Sequence, residues 1–124
     1  MLKIKLMNKI AKVGTDIFNA ANYEVSANVE NEDAIMVRSA ALHEMPFSKN
    51  LRAIARCGAG VNNIPVDRCT EEGVVVFNTP GANANAVKEL AIAALILASR
   101  DIIGGVQWTQ TLAGTQGVAK AVEA

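Results

Sequence analysis

The sequence predicts an α/β fold, an open parallel sheet with helices on both of its faces. Two observations carry this. Short apolar runs alternate with stretches of helical periodicity along the chain. The most strand-like run, Val74-Val75-Val76, is apolar at consecutive positions, as expected of a central parallel strand covered on both sides. There is no internal repeat and no low-complexity segment.

The elements follow in order. "KIKLM" (3–7) alternates charged and apolar positions and suits a first strand. Residues 9–20 place Ile10, Val13, Ile17 and Phe18 on one helical face. "YEVSA" is a short second strand, and "DAIMVR" (33–38) is a buried strand ending on a basic residue. "LHEMPFSKN" reads as a short helix with Pro46 disturbing its middle. "LRAIARCG" is the fourth strand. "IPVDRCTEEG" is a short helix, with Pro65 near its start and Gly73 as its stop. "VVVFN" (74–78) is the fifth strand and "TPGANAN" a turn. A long helix then runs from Asn83 or Asn85 to Ile103, closed by Gly104-Gly105, with the Leu90–Ala98 stripe read as core in preference to a subunit interface. The remaining residues have two glycines and weak periodicity. The expected organisation is one domain over residues 1–104 and a truncated linker over 105–124 that leads toward a further domain.

Composition excludes several classes. Twelve basic residues balance twelve acidic ones, so no global field draws the chain to nucleic acid or a membrane surface. Aromatics make up only 4%, too few for a base-stacking platform. Cys57 and Cys69 form no C-x-x-C pair and His43 stands alone, so no metal is expected. The start lacks a signal peptide, which suggests reduced thiols and a cytoplasmic location. The apolar stretch Leu90–Ser99 is half of the roughly 20 residues a membrane helix needs.

In open α/β sheets ligands bind outside the carboxyl ends of the strands. The third strand ends at Arg38-Ser39, the fourth at Arg56-Cys57-Gly58-Ala59-Gly60, and the fifth at Asn78-Thr79-Pro80-Gly81. Two arginines and a row of glycine-rich backbone N–H groups converging on one rim suit an anion. Asn83 suits a helix cap, a position from which it can also contact the ligand. The bland reading stands beside this one. Gly58 and Gly60 suit a plain tight turn, and either arginine alone is an ordinary strand-end residue.

A dinucleotide loop is the rival reading of Gly58-x-Gly60. Its fingerprint needs a third glycine where Asn63 stands and an acidic residue about 20 positions on, where "VVVFNTPG" has none. No G-x-x-x-x-G-K-[ST] and no G-x-S-x-G occurs, and Cys57 has no evident base to activate it. The segment reads as one that binds and supplies no catalytic residue.

The blocks "DAIMVRSAAL" and "LRAIARCGAGVNNIPVDRCTEEGVVVFNTPGANANAVKELAIAALILASR" resemble the D-isomer-specific 2-hydroxyacid dehydrogenase family over residues 33–104. The resemblance implies a flavodoxin-like substrate-binding domain. It places the NAD-holding Rossmann domain, with the catalytic arginine, glutamate and histidine, beyond this chain. Within the family, Arg38 in "VRSA" and Arg56 before "CGAG" point to the branch that oxidises 3-phosphoglycerate to 3-phosphohydroxypyruvate with NAD in serine biosynthesis. By the same resemblance, Gly58, Ala59, Gly60 and Val61 match the loop that holds the substrate carboxylate. Ala59 also matches a position touching the cofactor. Asn83 matches a substrate contact, and Arg38, with Ser39 beside it, and Arg56 match the basic residues near the phosphate. Asn62, Pro65 and Lys88 depart from the family pattern. The implied partner is a small phosphorylated hydroxy acid, the whole enzyme is a homo-oligomer, and this piece is inactive alone. Cleft closure is implied about Gly81 and Gly104-Gly105. Another 2-hydroxy acid as substrate, such as hydroxypyruvate or glyoxylate, and a non-catalytic binding module remain as alternatives.

Overall fold

The computed structural model describes residues 1–123. Its five strands are β1 (Leu2–Met7), β2 (Tyr23–Ser26), β3 (Ala34–Val37), β4 (Ala53–Arg56) and β5 (Val75–Phe77). They form one sheet in the order β2-β1-β3-β4-β5, with every pairing parallel. This is the flavodoxin-like order, in which the connections reverse direction between β1 and β3 and leave a crevice at the strands' carboxyl ends. Register brings Val37 opposite Arg56. The segment after β3 and the end of β4 therefore lie side by side on that rim.

The core is aliphatic. Ile35 and Val37 on β3 and Ile54 on β4 are fully buried, and they cluster with Leu42, Leu51, Ile64, Cys69 and Val74. The helix α2 (Val66–Glu71) contributes Cys69. It ends as the sequence predicts. Gly73, at φ 72°, occupies the left-handed position after the cap. The Gly73 N–H donates to the Thr70 carbonyl and the Val74 N–H to the Cys69 carbonyl. This is the double closure of a Schellman motif, and its apolar pair, Val74 and Cys69, is buried in the core.

Several expectations are corrected. β5 is an edge strand, not a central one, and Val75 and Phe77 are about half exposed. The helix expected over residues 9–20 is a single turn, α1 (Lys12–Thr15), with Val13 and Ile17 in solvent. The Asn19 carbonyl accepts from both Asn22 and Tyr23, so the chain turns directly into β2. No helix forms over residues 42–50. The Leu42 N–H is drawn to the Asn63 carbonyl, which seats Leu42 in the core, and Pro46 has no N–H to continue a helix.

The long helix also differs. α3 (Ala84–Ser99) stops before Asp101, which adopts the left-handed region at φ 46°. α4 (Ile102–Thr111) then runs through Gly104 and Gly105, so the glycine pair does not terminate the helix. The Asp101 carboxylate occupies the space that a Cβ on residue 104 would need. α5 (Val118–Glu123) follows. No residue of α3 is buried, so of the two readings of Leu90–Ala98, core and subunit interface, the core one is corrected. By internal contacts the chain divides into two compact units, Met1–Asn83 and Ala84–Ala124.

Candidate functional site

At the carboxyl ends of β3, β4 and β5, within the first unit, lies a cavity of about 340 Å³. It is lined by Arg38, Ser39, Arg56, Cys57, Gly58, Thr79, Ala82 and Asn83. Five of the residues singled out from the sequence are thus brought together: Arg38, Ser39, Arg56, Gly58 and Asn83. Ala59 and Gly60 are exposed and do not line this cavity. Val61 lines a neighbouring cleft with His43, Asn62 and Arg68.

Two guanidinium groups face a cavity whose lining contains no carboxylate. The ion pairs among the described residues are Lys5 with Glu32 and Arg68 with Glu72, so neither Arg38 nor Arg56 is neutralised. The Arg56 Nε is buried and lacks a hydrogen-bond partner. Its Nη1 reaches only the Cys57 carbonyl, at 3.5 Å. A buried guanidinium N–H without an acceptor costs free energy that an anion would recover. Gly58 is what admits this side chain, because the Arg56 guanidinium lies where a Cβ on residue 58 would be.

The glycine loop is tied to the exit of β5. The Thr79 N–H donates to the Gly58 carbonyl at 2.9 Å, and the Asn78 Nδ2 to the Ala59 carbonyl at 2.8 Å. The Gly58 N–H is used within the loop, on the Arg56 carbonyl. Among the described residues, the N–H groups of Ala59, Gly60 and Val61 have no protein acceptor. The expected row of four donors is therefore a row of three. The Asn83 carboxamide makes no capping hydrogen bond among the described residues.

Sequence reading missed the asparagines that build the rim. Asn8, at the end of β1 with φ 75°, presents its Oδ1 to the backbone N–H groups of Arg38, Ser39 and Ala40. Asn63 donates from Nδ2 to the carbonyls of Arg38 and Ala40. An asparagine just past a strand at the switch point, a residue type that tolerates the left-handed backbone, was the signal available for Asn8. Both cysteines are free thiols. Cys69 is held protonated, its pKa raised chiefly by burial and further by Glu72, against the opposing pull of Arg68.

The chain's glycine loop does not fit a dinucleotide. Asn63 stands at the third-glycine position and is committed to Arg38 and Ala40, and α2 begins only at Val66. No helix N-terminus therefore follows Gly60 closely enough to receive a pyrophosphate.

Comparison with known proteins agrees with this architecture. Residues 4–123 match the family described as "D-isomer specific 2-hydroxyacid dehydrogenase, catalytic domain". A hydroxypyruvate reductase of Thermotoga maritima is 39% identical over 82 residues, covering 64% of this chain and 27% of that protein. A D-3-phosphoglycerate dehydrogenase of Archaeoglobus fulgidus is also 39% identical over 82 residues, covering 64% of this chain and 16% of its own length. Among solved structures, the NAD+-bound 3-phosphoglycerate dehydrogenase of Entamoeba histolytica superposes with a TM-score of 0.65 at 28% identity. That match covers 77% of this chain and 38% of the Entamoeba chain. The chain thus spans a minor part of the length of the relatives it matches. A parallel β2-β1-β3-β4-β5 sheet, a cavity at its carboxyl rim and a family match over nearly every residue lead to one conclusion: the chain belongs to the D-isomer-specific 2-hydroxyacid dehydrogenases.

Proposed function

We propose that this chain is the substrate-binding part of a D-3-phosphoglycerate dehydrogenase, within residues 1–104, with residues 105–124 as a linker. The observation that carries the reading is the pair of unneutralised arginines, Arg38 and Arg56, on a cavity without carboxylates. A phosphate dianion would satisfy both guanidinium groups and the orphaned Arg56 Nε. The free N–H groups of Ala59, Gly60 and Val61 would receive the substrate carboxylate, with Ser39 and Asn83 contacting the ligand between them. In this reading the chain binds and orients the hydroxy acid. Oxidation by NAD belongs to the whole protein, with the dinucleotide held outside this glycine loop and Ala59 approached from the cofactor side.

Calorimetric titration of the chain with 3-phosphoglycerate tests this. Arg38→Ala or Arg56→Ala should each weaken binding by about tenfold or more, the usual scale for a lost charge-assisted contact. Unchanged affinity in both variants would refute the phosphate assignment. The Thermotoga relative, named for hydroxypyruvate, supports a second reading with a non-phosphorylated substrate. That reading predicts that glycerate binds as well as 3-phosphoglycerate does.

A further inference from the structure

The segment that aims Arg38 into the cavity is held by two neutral side chains. The Asn8 Oδ1 accepts from the N–H groups of Arg38 at 3.2 Å, Ser39 at 3.0 Å and Ala40 at 3.0 Å. From the other side, the Asn63 Nδ2 donates to the carbonyls of Arg38 at 3.3 Å and Ala40 at 2.8 Å. Every one of these bonds ends on the backbone of residues 38–40, so the backbone from which Arg38 projects is fixed before any ligand arrives.

Three successive N–H groups around one oxygen form the kind of concavity that ordinarily holds an anion. An aspartate at position 8 would meet the same geometric demands. It has the same shape, tolerates the left-handed backbone at φ 75° as asparagine does, and accepts charge-assisted hydrogen bonds that are stronger than those of a carboxamide. Hydrogen bonding alone therefore gives no reason for the carboxamide. Charge does. A carboxylate at this point would stand beside the end of β3, which carries Arg38, with the end of β4 and its Arg56 one strand further on; among the described residues neither arginine has an acidic partner. It would supply from within the protein the negative charge those guanidinium groups otherwise offer to a ligand.

We infer that Asn8 is a positioning residue for Arg38, and that its neutrality keeps the two arginines available to a dianionic ligand. The inference rests on the anion-binding reading proposed above. It concerns how that site is kept charged, and assigns Asn8 no contact with substrate.

The test compares wild type, Asn8→Asp, Asn8→Gly, Arg38→Ala and Arg56→Ala by titration with 3-phosphoglycerate at several ionic strengths, with thermal melting alongside. Glycine suits the positive φ and removes the acceptor without adding charge, so Asn8→Gly isolates the clamp from the backbone. Asn8→Asp should melt at or above wild type yet bind about tenfold more weakly, with the deficit closing as salt screens the added charge. Asn8→Gly should lose only about threefold, by a ratio to wild type that salt does not change. Asn8→Asp binding as tightly as wild type, while the arginine variants have lost affinity, would overturn the inference and leave the anion-binding reading standing. Equal losses in Asn8→Asp and Asn8→Gly at every ionic strength would overturn it as well, since charge would then play no part. A wild-type chain that binds no phosphoglycerate would refute the reading itself, and the inference with it.

Discussion

Gly58 shows how one missing methyl group shapes the site. Its place on the rim is taken by the Arg56 guanidinium, which lies where a side chain on residue 58 would begin. The group in the way is the end of a flexible side chain, so Gly58→Ala can be accommodated by swinging Arg56 aside. We expect the substitution to cost less than about 1 kcal/mol of stability while weakening 3-phosphoglycerate binding by about tenfold. Melting temperature and calorimetric affinity measured on the same preparation check the split. Equal damage to both would show that Gly58 serves the turn and not the arginine. Asn63 teaches a related lesson. Read as a missing glycine, it only argued against a dinucleotide loop, whereas its amide in fact holds the neighbouring strand end in place.

At the scale of elements, the strands were legible and the helices less so. β3 alternates buried and half-buried positions and β4 buries Ile54, a pattern that needs only the period of two and β-branched residues. Helix α2 was legible because Gly73 marks its end. Helical periodicity in residues 9–20 misled, since an apolar stripe stabilises a helix only when something covers it. α3 raises the same issue in reverse, being long and apolar with Leu90 at 73% and Leu95 at 71% exposure. Without buried side chains its stability rests on backbone propensity, which is marginal for a helix of 16 residues. Hydrogen exchange should therefore find the α3 amides unprotected relative to those of β3 and β4, by two or more orders of magnitude. Equal protection would mean that α3 is covered in solution.

For the whole molecule, the distribution of burial decides the outcome of truncation. Every residue of the hydrophobic core lies between Ile4 and Val74. The cavity residues end at Asn83, where the first compact unit ends. A chain stopped after Asn83 should unfold cooperatively, with a stability within about 1 kcal/mol of the longer chain, and should retain its affinity for 3-phosphoglycerate. Urea denaturation and calorimetry on the two lengths test this. A loss of several kcal/mol would show that residues 84–123 contribute to the first unit's stability.

The sequence by itself determined the parallel α/β class, the family, and the strand ends on which the arginines and glycines stand. These are written in local pattern: apolar runs of strand length, glycine punctuation, and contiguous motifs whose spacing survives without coordinates. Only the tertiary structure decided that β5 is an edge, that the arginine cavity and the three free N–H groups are distinct parts of the rim, and that Asn8 and Asn63 hold the segment bearing Arg38. These features depend on which strands lie side by side. Asn8 meets Arg38 across thirty positions of sequence. No local period or motif encodes a contact made by sheet order, and a carboxamide that bonds only to backbone leaves no mark on the residues it holds.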